Sequence, residues 1–330
     1  VTVEAAPSYE GPLDLVPGAA VAYGQRALSA ARLGQPLFTL RRDIDDAELE
    51  FDADAVTGEA PVAAIAAWVG AAFTQTAATT IDSDVIVLVS STGVHEGQPI
   101  SGTGIQPGTI VLDVSEAPNI YISLPATATS GAVVLTFTRM ATLAVWNDQS
   151  GNGEDLASLA PDNFFYPTLQ SGKPGFQALT VNDIRASTTS SYPNSVATVF
   201  LVGSEDLEWY TTVGDDYLDF STGLSGGVFC NLYNDPDGAG IYIDPPAAGV
   251  HLWDAAIEWG ATNFRVDGAT QAEIASNDGA APPVALTETP MLRIGGGKIF
   301  CESVIYPIRP SDPNRLAIGQ NIATYYGITI

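Results

Sequence analysis

Aromatic rings set among polar side chains are the residues here most suited to holding a ligand. Trp209 and Tyr210 follow Glu205-Asp206-Leu207-Glu208 and precede Thr211-Thr212. Tyr233 stands just before Asn234-Asp235-Pro236-Asp237-Gly238. Such rings can stack on a sugar, while a packed core competes for every large aromatic. Asp235 and Asp237 lie in a stretch whose Asn, Pro and Gly content predicts a turn. They could also offer hard oxygen ligands to calcium. The candidate glycan-binding set is therefore Trp209, Tyr210, Tyr233, Asp235 and Asp237, with Asp235 and Asp237 as weak calcium candidates. No catalytic residue, metal or cofactor is assigned. His95 and His251 are the only histidines, which leaves little material for a triad or a multi-histidine metal site. Cys230 and Cys301 each sit in an apolar run; two buried thiols or one disulfide both fit.

Charge narrows the partners. Twelve Lys and Arg against 38 Asp and Glu give a net charge of −26 over 330 residues. Such a surface repels phosphate backbones and anionic headgroups, so neither nucleic acid nor membrane is expected as a partner. At 46% hydrophobic and 15% charged residues the chain should fold around a sizeable core.

The elements that must position these residues read as β-strands. Short Val/Ile/Thr runs alternate with Gly, Pro, Asn and Asp clusters, among 32 Gly and 22 Pro, as in sandwiches and barrels. Three regions follow: 1–73, 74–138 and 139–330. The first has a strand at Pro36–Arg42 and a short helix over Ala60–Gly70. Between them, Asp43, Asp45, Asp46, Glu48, Glu50, Asp52 and Asp54 read as a solvated acidic strand and loop or as a calcium site. The second region has no Lys or Arg and four predicted strands: 85–89, 109–114, 120–124 and 132–137. It reads as a small β-module inserted into the larger domain, with turns at Thr92-Gly93, Ser101–Gly104 and Ser130-Gly131. The third region has predicted strands at 197–202, 227–233, 240–243, 255–259, 263–266 and 298–306. A last helix opens at Ser311 or Asp312, with Pro313 in its first turn.

Ala144-Val145-Trp146-Asn147-Asp148-Gln149-Ser150-Gly151-Asn152-Gly153 resembles a turn of concanavalin-like, LamG-type jelly rolls. The tail from Met291 to Gly296, through Phe300 and Tyr306 to Tyr326-Gly327, resembles the close of the same domains. Arg26-Ala27-Leu28 and Gly34–Arg42 resemble the start of the arabinofuranosidase-type branch, including phage structural proteins. Ser101–Thr109 resembles a motif of phage fibre and adhesin modules. The resemblance implies an all-β, concanavalin-like jelly-roll sandwich with an inserted β-module. It also implies an adhesive virion surface protein: a head decoration, spike or tail-fibre component at the virion surface, assembled in the bacterial cytoplasm. No acid pair stands out from the acidic background, so the chain is read as non-enzymatic. Implied partners are other virion proteins, a host cell-surface polysaccharide and further copies of the chain, as in a trimer. Val87, Ile110, Ile120 and Tyr121 are the candidate contact residues between copies. The alternative is a glycoside hydrolase of arabinofuranosidase type, which needs two carboxylates flanking a sugar. Asp206 with Glu208, Asp235 with Asp237, and Asp254 with Glu258 are nominees for that pair.

Overall fold

The computed structural model describes residues 9–158, 163–178, 182–186, 190–192, 196–204, 207–211, 216–221, 228–234, 239–243, 249–258, 263–270, 275–276, 286–288, 290–294 and 298–330. The chain forms an all-β sandwich of antiparallel strands with few helices among the described residues. It divides into two units. The larger comprises Val1–Thr39, Glu50–Pro61 and Ala144–Ile330; the smaller comprises Leu40–Leu49 and Val62–Leu143.

The centre of the larger unit is the strand Val196–Gly203, paired on one side with His251–Glu258 and on the other with Ile299–Tyr306. Val199, Phe200, Leu201 and Val202 have no exposed surface, so this strand is covered on both faces. Its unbroken apolar run reflects that double burial. Phe200 and Val202 join Leu252, Val304 and Tyr306 under the helix Asp312–Tyr326, whose Ile318, Ile322 and Tyr326 recur every four residues. That helix has Ser311 at its N-cap without a side-chain cap bond, and Pro313 in its first turn. It ends on Gly327 at φ 66°, a left-handed cap that glycine adopts without penalty.

On the inner side of the sandwich Trp146 is fully buried, edge-on to Phe176 and Phe300. Its indole N–H donates to the Gly24 carbonyl at 3.1 Å. The segment after Trp146 is a structural turn built on one carboxylate. Asp148 accepts from the backbone N–H groups of Ala22, Ser150, Asn152, Gly153 and Glu154 at 2.9–3.3 Å, and from the Ser150 hydroxyl at 2.6 Å. Gln149 ties the same turn to the Arg26–Leu28 segment. Both anchors are distant in sequence, so the turn joins the first strand to the rest of the sandwich.

The smaller unit is a six-stranded sheet around Ile86, Leu88, Ile100, Val111, Ile120, Leu135 and Phe137. Two of its strands, Phe73–Thr79 and Ile100–Gly102, were not expected. Phe73–Thr79 reads FTQTAAT, too small and polar to register as an apolar run. Gly102, expected in a turn, lies in a strand at φ 149°, where an added Cβ would sit 2.7 Å from Leu135. The strand Pro36–Arg42 and the helix Val62–Val69 form where the sequence places them. In the acidic run, Glu48, Glu50 and Asp52 are exposed, while Asp43 turns inward to accept from Gln98 at 2.6 Å and the Met140 N–H at 3.1 Å.

One expectation for this unit is corrected. Ile120 was a candidate for contacts between copies, but it faces Ile86 across adjacent strands and is fully buried in the unit's own core. Val134 is 61% exposed. Ile120→Ala should therefore cost about 2–5 kcal/mol, whereas Val134→Ala should stay within about 0.5 kcal/mol. Denaturant titration of the full chain checks the contrast.

Candidate functional site

Strand register in the larger unit sorts residues into two faces of one sheet, because facing residues of an antiparallel pair share a face. The strands run in the order Leu156–Ser158, Asn182–Ala186, Pro290–Ile294, Leu207–Thr211, Asp216–Ser221, Val228–Asn234 and Ala239–Ile243. One face collects Ile184, Leu292, Trp209, Phe220, Cys230 and Ile241 in a single row. Leu156, which is fully buried, belongs to this face, marking it as the core side.

The other face differs chemically. One row holds Asp183, Arg293, Glu208, Ser221, Phe229 and Tyr242. The next holds Arg185, Met291, Tyr210, Asp219, Asn231 and Gly240. A third pairs Tyr217 with Tyr233. This face begins at Ala157, which is exposed and faces Arg185. By register, Asp, Glu, Arg and Tyr positions thus share one face with Met291 and Phe229, opposite the row of Ile184, Leu292, Trp209, Phe220, Cys230 and Ile241.

The glycan-binding candidates fall as follows. Tyr210 and Tyr233 hold positions on the polar face, with Glu208. Trp209 holds a position on the apolar face, between Leu292 and Phe220. Asp235 and Asp237 lie outside the described residues, as does Asp206. The sequence reading missed Asp183, Asp219, Arg293, Tyr217 and Tyr242. The period-2 pattern of Asp216–Ser221 and Val228–Asn234 carried part of the signal. It shows which residues alternate, but not which strands adjoin.

A second acid nominee has a structural task. Asp254 is 4% exposed and faces the helix. Arg315, itself fully buried, donates from Nε to Asp254 Oδ1 at 2.5 Å and from Nη1 to Asn263 Oδ1 at 2.8 Å. It also reaches the Asp254 and Asn263 carbonyls, at 2.9 and 3.1 Å. Burial pushes the Asp254 carboxyl up to about 6, against the pull of Arg315 and Arg265. Its oxygens are committed to arginines, so Asp254 pins the helix rather than meeting a substrate. Glu258, its proposed partner, lies four residues along the same strand and faces Val196.

A further cluster surrounds Tyr325. Its ring has the Arg26 guanidinium 4.3 Å and the Lys173 ammonium 4.2 Å from the centroid. Its hydroxyl donates to Glu59 at 3.3 Å, and Lys173 reaches the same carboxylate at 2.6 Å. Arg26 forms a bidentate pair with buried Glu302 at 3.0 and 3.2 Å, and donates to Asn321 at 3.0 Å. Each cation has a carboxylate partner, so the cluster is a clasp joining Arg26, Glu59 and Lys173 to the helix. Among the described residues no group of three or more His, Cys, Asp or Glu could hold a metal ion.

Arg315→Met should lower stability by about 3–5 kcal/mol, the usual cost of stranding a buried charge. The cost should grow with pH. Below about pH 4 the Asp254 carboxyl is protonated whether the chain is folded or not, so its share of the cost vanishes. As pH rises through 6 and beyond, the folded variant must carry a buried carboxylate that has lost Arg315 and keeps only Arg265, 3.7 Å away. Denaturation midpoints of parent and variant should therefore lie closer at pH 4 than at pH 8.

No protein-family model and no curated protein matches this chain. Solved structures do. A GH54 α-L-arabinofuranosidase soaked with a cyclic sulfate inhibitor superposes with a TM-score of 0.52 at 13% identity. An arabinofuranosidase complexed with arabinofuranosyl-α-1,2-xylobiose gives 0.53, also at 13% identity. Each match covers 96% of this chain and 65% of the other, so the chain spans less than two thirds of the length of these enzymes.

This overturns the expectation of a non-enzymatic virion surface protein. The two structures just named, which share the fold along 96% of the chain, are arabinofuranosidases, and the comparisons carry no phage link. The acidic surface and the Ser101–Thr109 motif had suggested a virion, but surface charge and a short turn motif do not specify function. What the likeness shows is a β-sandwich fold, related to the concanavalin-like type, shared with arabinofuranosidases.

Proposed function

We propose that the chain is a glycoside hydrolase that lays a glycan across the polar face of the sheet. The observation that carries this reading is the placement of Glu208 and Asp219. They occupy diagonal positions on adjacent antiparallel strands, since Glu208 faces Ser221 and Tyr210 faces Asp219. Diagonal neighbours lie about 7–8 Å apart, and less at Cβ. Both acids thus hold positions on one face of adjacent strands, as a carboxylate pair flanking a glycosidic bond requires.

The flanking positions distinguish the two acids. Glu208 faces Arg293, which in turn faces Asp183. We assign Glu208, whose facing position holds an arginine, as nucleophile or base. Asp219 faces Tyr210 and Asn231, both uncharged, and fits the role of proton donor to the leaving oxygen. The shared fold with arabinofuranosidases supports an arabinofuranosyl substrate.

Release of 4-nitrophenol from 4-nitrophenyl α-L-arabinofuranoside tests the reading. Glu208→Gln and Asp219→Asn should each slow release by about 10²–10⁴-fold, with unchanged circular dichroism. No release from this glycoside or a panel of other aryl furanosides and pyranosides would overturn it.

A further inference from the structure

We propose that the outer face of the smaller unit's sheet is a self-association surface, on which a second copy of this chain packs about a two-fold axis running along the Phe73–Thr79 strand. Three adjacent strands carry the face: Ser130–Phe137, Phe73–Thr79 and Val85–Leu88. Thr76 faces Val134 on one side. On the other, its carbonyl accepts from the Val89 N–H at 2.9 Å, one step beyond the Ala77–Leu88 pair. Val134, Thr76 and Val89 therefore form one row across the sheet. In the next row Ala78 faces Val87, and Ala132 lies at the bulge on its other side. Val89 is 78% exposed, Val134 61% and Val87 45%, whereas Ile86 and Leu88, which alternate with them, are core. Singly exposed valines are ordinary, but an adjoining set on one face marks a docking surface.

Charge and sheet closure select the occupant. No side chain in these two rows ionises, in a chain of net charge −26. The acids of residues 74–138 are Asp82, Asp84, Glu96, Asp113 and Glu116, none of them in the rows, and the segment has no Lys or Arg. A basic partner would set its cations on valine, desolvated and unpaired, and an acidic one its carboxylates. A second copy brings an uncharged face of the same kind. Strand addition by an extended peptide is disfavoured, because the two outermost strands of the sheet meet. Pro99 bridges Ile110, the Ile100 N–H donates to the Thr109 carbonyl at 3.0 Å, and the Val111 N–H donates to the Gln98 carbonyl at 3.0 Å. A partner thus meets the outer face rather than a free edge.

The face is also complementary to itself. With the axis along Phe73–Thr79, Val134 of one copy lies over Val89 of the other, and Val89 over Val134. A two-fold interface requires such reciprocal contacts. Val87 lies over Ala132 in the same way, a larger side chain over a smaller one, so the layers interdigitate. The curl of the sheet confines contact to these strands. Such an interface falls short of the about 1,200 Å² of stable complexes, so the pair is weak. Repulsion between two copies of charge −26 opposes it further, and salt screens that repulsion.

Sedimentation equilibrium of the full chain in about 0.1 M and about 1 M salt, where charges are screened over about 10 and about 3 Å, tests the pairing. The parent should associate about tenfold more tightly in the higher salt. Val89→Asp and Val134→Lys should each associate more weakly than the parent by roughly tenfold or more, because each sets a charge against valine. Val56→Asp, at an exposed position of the larger unit, should behave as the parent does. An equimolar mixture of the Val89→Asp and Val134→Lys chains should regain association, since the axis sets the new carboxylate on the new ammonium. That rescue separates a lost contact from a lost fold. A parent that stays monomeric in both salts leaves the face to a different partner and overturns the proposal. So do Val89→Asp and Val134→Lys chains that associate like the parent, a loss in Val56→Asp as large as theirs, or a mixture no tighter than its components.

Discussion

Double burial of the central strand Val196–Gly203 is the constraint on which the larger unit depends. A strand covered on both faces needs a second sheet on one side and another layer on the other. Here the inner aromatic core around Trp146, Phe176 and Phe300 supplies the first, and the C-terminal helix supplies the second. The helix cannot be an independent element. Its buried stripe of Ile318, Ile322 and Tyr326 matches a surface made by three strands that come together only when the sandwich closes.

Two buried ion pairs flank that helix, and they explain where a chain of net charge −26 spends its few cations. Arg26 is held by Glu302, and Arg315 by Asp254. Glu302 and Asp254 sit on strands either side of Val196–Gly203, facing Val202 and Phe200 respectively. Burying an ion pair gains little over an apolar pair of similar shape. What such a pair contributes is geometric: the planar, forked guanidinium of Arg315 meets two side-chain oxygens and two carbonyls in a single arrangement. Helix position is thereby specified as well as stabilised. The Tyr325 clasp extends this to Glu59, in the segment of the larger unit that returns after the Leu40–Leu49 excursion.

The polar face has a different origin. A sheet buried on one side alternates apolar and polar residues, and strands such as Asp216–Ser221 and Val228–Asn234 do so. By register, acids, arginines and four tyrosines from six strands hold positions on it.

Sequence alone determined the local elements wherever a run was long and strongly patterned. The Pro36–Arg42 strand, the apolar run at Val196–Gly203, the closing helix with Pro313 and Gly327, and the Asp148–Gly153 turn are legible because their causes are local. Short polar strands such as Phe73–Thr79 were hidden because their composition does not differ from loops. Tertiary structure alone decided the pairings. Asp254 looks like any other acid until Arg315, 61 residues away, closes on it. Glu208 and Asp219 become neighbours only through the register of two strands, and Ile120 becomes core only through its place opposite Ile86. Sequence carries the period of each strand, but the neighbour that a strand chooses depends on the energy of closing the whole sandwich, which no local segment encodes.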